Sequence, residues 1–214
     1  MLKTAAMAPQ RVLNRIGRLS YFHDERHAQR RNEIRWLVEE FVEIPVKNLP
    51  PALEGFTIVQ LTDMHLRPYT QVEHIERAVE KTNALKPDLV VLTGDYVWHD
   101  AQDILDLVPV LAKLNARHGI FAVMGNHDIK TDPVLIEETF ERHGIPVMRN
   151  SGLDLQHGNG VFHLAGIDDG WLGQPDITTT LDKLRGDKPV ILLAHEPDMM
   201  DWYADDSRIS LQLS

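Results

Sequence analysis

The chain has 214 residues and a formal net charge of −10, with 43% hydrophobic residues, 25% charged residues and no cysteine. That length supports one α/β domain with a sizeable core, and the missing cysteines exclude disulfides and thiolate metal sites and fit a reducing compartment. Any metal must therefore be held by His, Asp, Glu or Asn; the acidic balance argues against general nucleic-acid binding, and no apolar run is long enough to span a bilayer.

The charge is unevenly spread. Residues 1–31 hold seven Lys/Arg and two Asp/Glu, a balance of +5, which leaves −15 on the remainder. Residues 9–22 read as an amphipathic helix, with Arg11, Arg15 and Arg18 on one stripe and Val12, Ile16 and Leu19 on another. Such a helix can lie on an anionic membrane, dock on a partner or cover its own domain. Residues 1–35 are thus expected to form a basic helical extension and residues 36–214 the main domain. The expected location is the cytoplasm, with peripheral contact through residues 9–22 on the inner face of the membrane.

From Glu39 the pattern changes. Phe41–Val46 alternates like a half-buried strand, and Pro45 suits an edge position. Four apolar runs follow: Thr57–Leu61, Leu89–Leu92, Ile120–Met124 and Val190–Leu193. Continuous runs of this length fit strands buried on both faces. Val72, Ile75 and Val79 give helical spacing through Leu85, as do Ile104, Leu107, Val108 and Leu111, where Pro109 is expected to kink or restart the helix. Strands alternating with helices predict βαβ units and a mostly parallel sheet. Gly152–Leu155 and Gly160–Leu164 add a hairpin, so the fold class is α/β with mixed parallel and antiparallel pairing.

Each apolar run ends in groups that can hold a cation. They are Asp63-Met64-His65, Gly94-Asp95, Gly125-Asn126-His127-Asp128 and His195-Glu196. Ligands of open α/β sheets gather beyond the carboxyl ends of the strands. Alone, each motif reads as a turn, a helix cap or a satisfied histidine; their order and common placement point to a metal site. His99 and Asp100 read as a polar loop, Asp168-Asp169 as a turn or an active-site loop, and Trp171 and Trp202 as core cover or substrate flanks.

The series Asp63-x-His65, Gly94-Asp95, Gly125-Asn126-His127-Asp128 and His195 resembles the calcineurin-like metallophosphoesterase family over about residues 56–214. The surrounding wording is similar to bacterial phosphohydrolases of that family, including membrane-associated relatives and hydrolases of UDP-diacylglucosamine. The resemblance implies layered sheets flanked by helices and two divalent ions, of Mn, Fe or Zn. It implies that Asp63 and His65 hold the first ion, Asp95 bridges both, and Asn126 and His195 hold the second. A hydroxide between the ions would attack phosphorus in line, His127 would protonate the leaving oxygen, and Asp128 would orient His127. The implied substrate is a small phosphate ester or pyrophosphate, a nucleotide-linked lipid precursor among the candidates.

The family pattern closes with Gly-His-x-His, whereas this sequence runs Ile209-Ser210-Leu211-Gln212-Leu213-Ser214. The expectation is that the C-terminal part of the fold is missing and that the chain is weakly active or inactive. The alternative function is a binding module that keeps the fold without catalysis; the presence of Asp63, His65, Asp95, Asn126, His127 and His195 argues against it.

Overall fold

The computed structural model describes residues 11–16, 37–47, 49–184 and 186–214. Its first sheet has the order β2-β1-β3-β4-β5, formed by β1 (Arg11–Ile16), β2 (Glu40–Pro45), β3 (Thr57–Leu61), β4 (Leu89–Leu92) and β5 (Ile120–Ala122). Strands β1, β3, β4 and β5 run parallel, and β2 lies antiparallel on the outside. The second sheet has the order β6-β7-β8-β9, from β6 (Ser151–His157), β7 (Gly160–Gly166), β8 (Val190–Leu193) and β9 (Ile209–Leu213). Here β6 and β7 make the antiparallel hairpin, and β8 and β9 continue in parallel.

Side-chain alternation decides the layering, because successive residues of a strand face opposite sides. Ile58, Leu89, Val91 and Phe121 of the first sheet share one buried cluster with Phe162, Leu164, Ile191 and Leu193 of the second. The neighbouring positions Val59, Leu61, Val90, Leu92 and Ala122 pack instead with residues of helices α1 (Val72–Leu85), α2 (Ile104–Leu111) and α4 (Pro133–Arg142). On the far side, Ala165, Val190 and Leu192 pack with Leu181 of α5 (Ile177–Asp182) and Tyr203 of α6 (Met200–Tyr203). Two sheets thus lie face to face, each backed by helices. Both faces of the central strands are covered, which is why their sequences read as mostly apolar runs.

Phe162 sits in the interlayer cluster, 1% exposed, edge-on to Phe56 at 5.3 Å. Phe162→Ala is expected to cost about 3–5 kcal/mol, measured as a lower urea midpoint with an unchanged m-value.

Three expectations change here. Residues 11–16 form a strand, not the amphipathic helix expected over 9–22; the rest of that stretch lies outside the described residues. Val12 and Ile16 are four apart, a spacing that fits the two-residue period of a strand as well as a helical turn. Pro109 lies within a continuous α2, so the helix does not restart there. Finally, against the expectation of a missing C-terminal part, Ile209–Leu213 is present as a strand of the second sheet, registered against Val190–Leu193. Its alternation reports a paired position in that sheet.

Candidate metal centre

Each sequence motif lies in the loop after a strand: Asp63 and His65 follow β3, Asp95 follows β4, His127 follows β5 at the start of α3 (Asn126–Thr131), and His195 follows β8. The loops converge. His65, Asp95 and His127 form one group whose ligand atoms lie within 4.8 Å of one another, and Asp63, Asp95 and His195 form a second. Asp95 belongs to both. One of its oxygens lies 2.9 Å from His65 Nε2 and the other 3.4 Å from His195 Nε2. This grouping sets Asp63 with His195, rather than with His65 as the resemblance implies. Asn126 stands half-buried at the first position of α3, between Gly125 and His127.

The backbone is bent to make this convergence. Asp63, His65 and Asp95 have φ of 52°, 42° and 57°, in the left-handed region that non-glycine residues rarely occupy. Such conformations persist where the surroundings over-determine them, as at functional sites. The Gly94 and Gly125 turns approach so closely that neither tolerates a side chain. A Cβ on Gly125 would stand 2.3 Å from Asp95 Oδ1, and one on Gly94 (φ +99°) would stand 2.6 Å from Gly125 N.

Further hydrogen bonds fix the imidazoles. His195 Nδ1 lies 2.7 Å from the Thr93 carbonyl and His127 Nδ1 lies 2.8 Å from the Trp98 carbonyl. A carbonyl only accepts, so both Nδ1 atoms carry hydrogen and each Nε2 is left for the site. Trp98 also stacks on His127 at 4.5 Å, and His65 meets His127 edge-on at 4.8 Å.

Asp128 does something other than orient His127. Fully buried, its carboxylate accepts hydrogen bonds from the backbone N–H groups of Asp95 (2.8 Å), Tyr96 (2.9 Å) and Gly125 (2.9 Å). It therefore pins the β4 loop to the β5 loop. The expected Asp128–His127 contact gives way to this role because α3 turns Asp128 inward, while His127 finds the Trp98 carbonyl. Burial, reinforced by the charge of Asp95, pushes the Asp128 carboxyl up to about 7.

Electrostatics follow from the shared carboxylate. Burial works against ionisation of Asp95, but hydrogen bonds from His195 and His65 outweigh it and hold the carboxyl well below its ordinary range. Burial likewise disfavours the charged form of His195, yet the hydrogen bond and charge of Asp95 raise it to about 10. The proton held on His195 beside Asp95 answers the same demand for positive charge that a cation would meet. If His195 serves as a ligand it must first release this proton, so metal affinity should weaken as pH falls below about 10, with up to one proton released from this residue on binding. Calorimetry in buffers of different ionisation enthalpy measures that proton; affinity independent of pH between 6 and 9 would contradict it.

Other residues fall into place around the centre. Asp100 caps the turn after it by accepting from Gln102 N at 2.9 Å, and the His99 ring lies 6.4 Å from that of His127. Asp168 is gripped by Arg149 through two bonds of 3.0 and 2.9 Å. Asp169, fully buried, accepts from Trp171 N and Leu172 N, and Glu196 Oε2 accepts from Gly170 N at 3.0 Å. Glu196 thus ties the 168–173 loop to the strand end carrying His195. Trp171 and Trp202 are 66% and 65% exposed, so neither covers the core. The sequence reading missed Thr93, Trp98 and the Glu196–Gly170 link. The first acts through its main chain and leaves no side-chain signal; Trp98, three residues past Asp95, is the one that proximity marks.

Residues 56–211 match the family model for calcineurin-like phosphoesterases. The chain is 35% identical over 175 residues to the uncharacterized metallophosphoesterase YkuE of Bacillus subtilis, covering 78% of this chain and 59% of that protein. An uncharacterized metallophosphoesterase of Aquifex aeolicus is 32% identical over 166 residues, with 75% and 62% covered. A transmembrane protein with metallophosphoesterase domain from Danio rerio is 34% identical over 169 residues, with 73% and 38% covered. The chain therefore spans between 38% and 62% of the length of these curated relatives. The matched region reaches residue 211, inside β9, and includes His195, so the chain is not cut short ahead of these metal motifs.

Proposed function

This chain belongs to the calcineurin-like phosphoesterase family, and from that premise we propose that the protein hydrolyses phosphate esters or pyrophosphate bonds at a two-cation centre built on Asp95. The observation that carries the reading is one buried carboxylate shared by two ligand groups, His65–Asp95–His127 and Asp63–Asp95–His195. The donor set of imidazole and carboxylate, with the Asn126 amide, suits Mn²⁺, Fe or Zn²⁺. Such ions, when bound, supply Lewis acidity and a water acidified toward neutral pH.

The proposed metal ligands are Asp63, His65, Asp95, Asn126 and His195, with Asp95 as the bridge. Thr93 holds the His195 ring so that Nε2 faces Asp95. His127 is proposed to act on the substrate: Trp98 holds its Nδ1–H, and a second proton at Nε2 can pass to the leaving oxygen. Asp128 is proposed as a positioning residue that keeps the Asp95 and Gly125 loops together.

The finer substrate proposal is a nucleotide-linked lipid precursor. Its support is a groove of about 860 Å³ lined by Ile129 of α3, Arg149, Asn150, the 172–176 segment and the carboxylates of Glu137 and Asp168, with Trp171 exposed on the neighbouring surface. That volume lies within the range of small-molecule sites. Among the described residues no helix is long and apolar enough to cross a membrane. The Danio rerio relative is named as a transmembrane protein, which together with the basic residues 1–31 supports a proposal of work at an anionic membrane surface. Flotation of the intact protein with liposomes, and loss of flotation when residues 1–31 are deleted, tests this.

Activity is tested by turnover of bis-p-nitrophenyl phosphate and p-nitrophenyl phosphate with Mn²⁺, Fe²⁺, Zn²⁺ or Mg²⁺ added to the stripped protein. Turnover that returns with metal is the expected result; none with any of the four would favour the binding module.

A further inference from the structure

The end of β8 opposite His195 borders a small, partly open cavity of about 180 Å³. Val190, at the start of β8, lines it, and at roughly 3.3 Å per residue the chain needs about 17 Å to reach His195. The cavity is therefore separate from the metal centre. Its lining brings together Lys47, His163, Lys188, Ser207, Arg208 and Ser210, against a single carboxylate, Asp187.

His163 supplies the second observation. It is 1% exposed, and its Nδ1 lies 2.6 Å from Asp154 Oδ1. The Lys188 ammonium, 2.5 Å from the other Asp154 oxygen, holds that carboxyl below its ordinary range, with His163 adding to the effect. An ionised carboxylate only accepts, so His163 Nδ1 carries the hydrogen. The other ring nitrogen, Nε2, is buried with no hydrogen-bond partner. Buried polar atoms are nearly always paired, and one left without a partner calls for a ligand or an ordered water.

The charges around it define that ligand. Arg208 is paired with Asp182 and Asp206, and Lys188 with Asp154, whereas Lys47 has no ion-pair partner among the described residues. Lysines, an arginine, serine hydroxyls and an imidazole together offer donors to an anion. At about 30 Å³ per water molecule, the cavity holds roughly six waters, a space that fits a tetrahedral oxyanion.

We propose that this cavity is a second ligand site, which takes a small free oxyanion of phosphate or sulfate type. In the complex, His163 is the imidazolium, donating Nδ1–H to Asp154 and Nε2–H to the anion, with the Lys47 ammonium as a further donor. The site is independent of the proposed hydrolysis.

The test is nitrogen-15 NMR of the histidine rings during titration of the full chain with inorganic phosphate at constant ionic strength, with chloride as control. A saturable shift of the His163 Nε2 signal to the protonated range is expected. Lys47→Ala, an exposed position, should weaken it about tenfold, the scale of one charge-assisted hydrogen bond. Asp95→Asn should leave the His163 response unchanged, which separates this site from phosphate bound at the metal centre. No saturable shift, an equal response to chloride, unaltered affinity in Lys47→Ala, or loss of the response in Asp95→Asn would each overturn the proposal.

Discussion

Asp95→Asn is expected to lower hydrolysis by at least about 10³-fold, on the scale of losing a principal transition-state stabiliser, and to strip both cations together. The Asp95 carboxylate is 3% exposed and serves His65 with one oxygen and His195 with the other. An amide of the same shape can still accept the His127 backbone N–H, a bond of 3.0 Å in the native chain. It cannot supply the charge that both ligand groups share, and two nearby cations cannot be held without it. Metal analysis reads the loss directly, and circular dichroism checks that the fold survives. A variant that keeps one ion at full occupancy would show that Asp95 is not the bridge.

His127→Ala carries the second large effect. Activity on an alkyl phosphate ester should fall about 10²–10⁴-fold, the range of general acid catalysis, with metal content unchanged. The loss should be smaller for p-nitrophenyl phosphate, whose leaving group departs without a proton. This contrast matters because His127 also lies within ligand distance of His65 and Asp95. Loss of one ion from the variant, with equal damage to both substrates, would make His127 a ligand instead.

Much of this architecture could be read from the residues because burial writes itself into composition. Thr57–Leu61, Leu89–Leu92 and Val190–Leu193 are covered on both faces, so they appear as apolar runs with matching boundaries. The residues of the two candidate ligand groups were legible because they stand in fixed places after those runs. What stayed hidden depends on partners distant in sequence or on the main chain. Asp128 reaches the amides of Asp95 and Tyr96, 33 and 32 positions away, and its adjacency to His127 suggested a different partner. The Thr93 and Trp98 carbonyls belong to the backbone, which every residue possesses. Arg11–Ile16 misled because a four-residue spacing satisfies two periods at once. Ile209–Leu213 alternates as a strand does, but which neighbour it pairs with is a property of topology and not of the segment.

The ligand groups are drawn from both sheets: Asp63, His65, Asp95 and His127 extend from strands of the first, and His195 from β8 of the second. The His195 bond to the Thr93 carbonyl crosses that boundary. The centre is thus a rivet through the seam between the layers, and the interlayer packing is its gauge. A cavity opened far from any ligand, as by Phe162→Ala, can let one layer slide on the other and alter the spacing of the groups around Asp95. Hydrophobic repacking in this protein should accordingly register as a change in metal affinity even where no ligand has been touched.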